Sequence, residues 1–145
     1  MPALASAAPS VVLQTDPEHV MAAAARIRNA FVRPEDRQPL DFEAEELRSA
    51  ARVSISAPVQ IASVMMTEDN VHVLDGSEFG EVVDLSVRGL SLNHADLFMH
   101  YFCLVTFSLP TMESVSLVLE ILWTIRETKE EFRSGGRFVG VIEAA

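Results

Sequence analysis

The chain has 145 residues, 49% of them hydrophobic, with 21 acidic residues against 11 basic ones and a formal charge of −10. That apolar content suits a folded core and excludes a disordered tail. The acidic balance excludes nucleic acid or an anionic membrane surface as principal partner, because phosphate binding needs a basic face. Cys103 is the single cysteine, so no intrachain disulfide is available. The opening Met1–Ser10 has neither the basic head nor the apolar run of a signal peptide, so residues 1–14 are expected to form a flexible tail before one domain over 15–145. Leu97–Met112 has no formal charge but is too short to span a bilayer and contains Pro110. A cytoplasmic protein without a membrane span is expected. Charge is uneven: residues 53–110 carry a net −6, with Arg88 their only base.

In chain order, Asp16-Pro17-Glu18 supplies a capping side chain, a proline suited to the first turn and an acid at the positive helix end. Val20, Ala24, Ile27 and Phe31 then recur at helical spacing, which predicts a helix over 16–32 ended by Arg33-Pro34. A shorter helix is predicted from Asp41 to about Arg52, with Leu40, Ala44, Leu47 and Ala51 on one side. The linker between the two is too long for a helix-turn-helix. Val59–Val64, Val71–Leu74 and Glu81–Val87 read as strands of an antiparallel meander, with Asp75-Gly76-Ser77 as a turn and Glu78, Glu81 and Asp84 on its wet face. Residues 94–108 read as a strand with a possible helical turn at Asn93–Asp96. Cys103 and Val105 then oppose Phe102 and Leu104.

Between Pro110 and Gly135-Gly136, the polar residues Glu113, Ser116, Glu120, Thr124, Glu127 and Glu131 recur every three or four positions. This predicts a long helix over Thr111–Phe132, apolar around more than half its girth, before a closing strand Phe138–Ile142. The expected fold is therefore α+β: an antiparallel sheet of four to five strands backed by a long C-terminal helix, with two N-terminal helices. One sheet cannot shelter so wide an apolar arc. The second flank is assigned to helix 16–32 or to a second subunit, through Leu117, Val118, Ile121, Trp123 and Ile125.

Chemistry-bearing residues are few. His94, Asp96 and His100 would share one face of a strand, but His94 and His100 would lie about 20 Å apart, too far for one ion. No metal site and no cofactor are expected. His100 as base, with Asp96 or Tyr101 orienting it, would be the acid/base group of a pocket enzyme. No nucleophile elbow, phosphate loop or dinucleotide fingerprint is present. The reading that results is a non-catalytic interaction or assembly module of the adaptor, chaperone-like or immunity type. It would be homodimeric, with a possible further partner bearing a basic patch. The alternatives are a small cyclase- or isomerase-like enzyme and, more weakly, a viral or phage structural component.

Overall fold

The computed structural model describes residues 10–31, 53–67, 70–96 and 101–142. In chain order these form β1 (Ser10–Gln14), α1 (Pro17–Phe31), β2 (Val53–Thr67), β3 (Asn70–Leu85), β4 (Gly89–His94), β5 (Phe102–Ser108), β6 (Ser114–Arg126) and β7 (Phe132–Ile142). Every pairing is antiparallel. The order β3-β2-β5-β6-β7-β4 returns to β3, so six strands close into a barrel, and β1 bridges the ends of β3 and β7. A closed barrel leaves few ladder groups unpaired.

This overturns the expected α+β fold. The largest correction is at Thr111–Phe132, which is a hairpin and not a helix. Pro110-Thr111-Met112 forms the β5–β6 turn, where the Leu109 N–H donates to the Glu113 carbonyl at 2.8 Å and the Met112 N–H to the Leu109 carbonyl at 2.9 Å. Met112 takes a left-handed φ of 74° there. Beyond it Val115, Leu117 and Leu119 alternate into the barrel core. The polar residues Ser116, Glu120 and Thr124 recur every four positions, a spacing shared by a helix turn and a strand face. Glu127 and Glu131 belong to the next turn, where the Glu127 N–H donates to the Glu131 carbonyl at 2.9 Å.

The first helix is as expected: the Glu18 N–H donates to the Asp16 carboxylate at 3.0 Å, and Pro17 opens the helix. Val20, Ala23, Ala24 and Ile27 face the core. The helix predicted over Asp41–Arg52 lies outside the described residues. Ser10–Gln14, within the stretch expected as a tail, is a strand whose Leu13 stands opposite Ile142. The turn residues Asp75-Gly76-Ser77 fall inside β3, where Ala62 pairs with Ser77 but Val64 with Val73, so the extra residues are absorbed as an irregularity in one long strand.

Two apolar clusters form on opposite faces of the sheet. The larger gathers Val59, Ile61, Val82, Leu92, Val105, Phe107, Leu117 and Leu119 with α1. The smaller takes Val118, from the other side of β6, with Leu13, Val64 and Val71. Leu13 reaches Val118 because Gly140, opposite Val118, has no side chain: a Cβ there would run into the Leu13 methyls. β6 is thus sheltered on both faces by its own chain along Leu117–Leu119, which are fully buried. The interface expected through Leu117 and Val118 of a helix is therefore not available to a partner.

Candidate functional site

The two ends of the barrel differ. The turns after β3 and β5 lie at one end, and α1 covers it: Arg26 pairs with Glu113, and the Phe31 ring stands 6.4 Å from that of Phe107. The connections after β4 and β6 lie at the other end, where the inward face turns polar. His94 continues the inward alternation of Leu90 and Leu92, Ser134 stands opposite Leu92, and Glu78 stands opposite the inward Ile61.

These side chains form a relay. His94 is buried and stacked on Phe132, with centroids 5.9 Å apart. Its Nδ1 lies 2.7 Å from the Asp96 carbonyl oxygen, which can only accept, so Nδ1 carries the proton. In the neutral ring Nε2 then accepts from the Ser134 hydroxyl at 2.7 Å, and Ser134 accepts from Thr124 at 2.7 Å. Burial lowers the His94 pKa and holds it in this neutral form. Glu78 Oε1 stands 3.8 Å from His94 Nδ1, is buried, and accepts no hydrogen bond among the described residues. Its other oxygen accepts the Asp96 N–H at 3.2 Å. Burial, reinforced by the Asp96 carboxyl, pushes Glu78 up to about 7.

A serine hydrogen-bonded to a histidine, with a carboxyl near the ring, is a set of residue types found in nucleophilic sites, but here the Glu78 carboxyl makes no hydrogen bond to His94. Here Ser134 is fully buried, with its hydroxyl between His94 and Thr124, so no substrate carbonyl can approach it in this arrangement. The relay fastens β4 to β7 and β6. Of the expected catalytic trio, Asp96 reaches the cluster through its backbone, Tyr101 is 80% exposed, and His100 lies outside the described residues. Among the described residues no three His, Cys, Asp or Glu side chains gather as metal ligands. Cys103 is buried, which pushes its thiol up to about 12 and makes it a poor nucleophile. Ser134, beside Gly135-Gly136, carries no sequence signal of its own. The signal for the cluster was the Leu90-Leu92-His94 alternation, which carries a histidine onto an apolar face.

A second feature lies outside the barrel. β5 pairs with β6 only as far as Phe102 opposite Glu120, with one further bond from the Ile121 N–H to the Tyr101 carbonyl at 2.7 Å. β6 continues to Arg126, with β7 on one side and no strand on the other among the described residues. This edge is apolar. Leu122 is 61%, Trp123 42% and Ile125 50% exposed. The Trp123 indole lies on Gly135, whose added Cβ would enter the ring. Ile121, Trp123 and Ile125 of the expected interface therefore fall at or beside this edge, with Ile121 half-buried against the core. No described helix is long and apolar enough to cross a membrane. No family model, curated protein or solved structure matches the chain.

Proposed function

We propose that the protein is a non-catalytic interaction module that pairs with a second copy of itself through the open edge of β6, Leu122–Arg126, adding strand to strand across a two-fold axis. The observation that carries this reading is that edge: five residues of Leu-Trp-Thr-Ile-Arg with one ladder unpartnered among the described residues and three large apolar side chains in water. Natural edge strands are commonly blunted by proline, lysine or inward charge, and this one has none of these. Antiparallel pairing centred on Thr124 sets Trp123 of each copy opposite Ile125 of the other. Such aromatic and β-branched cross-strand pairs contribute roughly 0.2–1 kcal/mol each. The cytoplasm, where the lone thiol stays reduced, belongs to the same reading.

Size-exclusion chromatography with light scattering tests it. The expected mass at micromolar concentration is twice the 15.9 kDa of the chain. Leu122→Lys and Ile125→Lys return the monomer, and Met112→Lys, an exposed position in the β5–β6 turn at the opposite end of β6, leaves the dimer intact. A wild-type monomer at about 100 µM, or a dimer indifferent to Ile125→Lys, overturns the proposal.

A further inference from the structure

Between the first turns of α1 and the barrel wall lies an open cavity of about 340 Å³. Val20, Val87 and Phe138 are its buried apolar lining, and Arg88 and Arg137 stand among the residues around it. Among the described residues, no acidic side chain lines it. In a chain with 21 acids and 11 bases that is an inversion of the average surface, and Arg88 is the only base between residues 53 and 110. The sheet register produces it: Gly89 stands opposite Arg137, and the Phe138 N–H donates to the Arg88 carbonyl at 2.8 Å, so arginines far apart in sequence meet at one cavity. Arg137 gives its Nε to Glu120 at 2.6 Å, which leaves its terminal amino groups available. The Arg88 guanidinium has no hydrogen-bond or ion-pair partner among the described residues. Asp16, which lies in sequence between the lining residues Thr15 and Pro17, is turned to the Glu18 N–H and to His19.

We propose that this cavity binds a small amphipathic acid. Its apolar body lies against Val20, Val87 and Phe138, and its carboxylate is held by Arg88 with Arg137. Guanidinium groups suit a carboxylate because their planar donors can meet both oxygens. Ligand cavities span about 300–1,000 Å³, so this one takes a medium-length chain or a single ring and not a sterol.

The test titrates the full chain with octanoate, 1-octanol and octyltrimethylammonium, followed by amide chemical shifts and calorimetry. Saturable binding of octanoate alone is expected, with shifts at Val87, Arg88, Arg137 and Phe138. Arg88→Ala weakens it about tenfold, as loss of a charge-assisted contact does, and Arg88→Lys weakens it less. Both changes are at an exposed position, so folding is retained. Equal binding of 1-octanol at the same amides, octanoate affinity unchanged in both Arg88→Ala and Arg137→Ala, or no saturation at millimolar octanoate overturns the proposal. The Ile125→Lys variant is expected to bind octanoate like the wild type, so this result stands apart from the outcome for self-pairing.

Discussion

Glu78 and His94 pull stability in opposite directions with pH. Glu78 is raised from the ordinary 4.5 to about 7, so the folded chain holds more protons than the unfolded one across that window. Its contribution to stability is therefore full below about pH 4.5 and falls as pH rises toward 7. His94 is lowered from 6.5, so on acidification the unfolded chain protonates first and stability falls below about pH 6.5. Glu78→Gln keeps the shape without the buried charge. It is expected to melt above the wild type at pH 8, with the difference shrinking toward pH 5; a constant difference would contradict the burial argument. Met112 makes a separate case. Its left-handed φ of 74° is costly for a residue with a Cβ, and its side chain is in water. Met112→Gly is expected to be neutral or to stabilise by up to about 1 kcal/mol in denaturant melts, glycine's gain in φ being partly offset by chain entropy.

At the scale of elements, the β6–β7 hairpin shows where sequence reasoning holds and where it stops. The α1 cap was legible because Asp16, Pro17 and Glu18 act on their own helix end, with no help from elsewhere in the chain. β6 was not, because Ser116, Glu120 and Thr124 satisfy both periodicities. What decided the outcome was distant: Leu104 opposite Val118 on one side and Gly140 on the other. The apolar residues read as the girth of a helix are the two faces of a strand, and each face needs cover. That cover is the barrel interior and Leu13, an arrangement visible only once β1 is seen to cross Gly140. The relay was illegible for the same reason, since His94 and Ser134 meet only through the β4–β7 register. Two adjacent glycines measure how tightly that hairpin is built. A Cβ at Gly136 would strike the Glu120 carbonyl, which is backbone, whereas one at Gly135 meets the Trp123 ring, which is partly exposed and can swing away. Gly136→Ala is thus expected to cost about 2–3 kcal/mol in urea unfolding and Gly135→Ala clearly less. Equal losses would mean that Trp123 is fixed as rigidly as the main chain.

For the whole molecule, the last described strand, β7, completes the barrel between β6 and β4, and β1 bridges its end to β3. Leu13 stands opposite Ile142 and Gln14 opposite Val141, so the two ends of the fold are neighbours. A circular permutant that links residue 142 to residue 10 through a short Gly/Ser segment and opens the chain within the exposed 127–131 turn is expected to keep the barrel. Retained amide protection at Leu117–Leu119 would establish this, and its loss would show that the β6–β7 turn is needed to start the hairpin. The same adjacency governs how a ribosome delivers the protein. Synthesis releases Leu13 more than a hundred residues before its partner, so the nascent chain must travel most of its length with that seam unsealed and its greasy lining on view. The seam can close only when the final strand emerges.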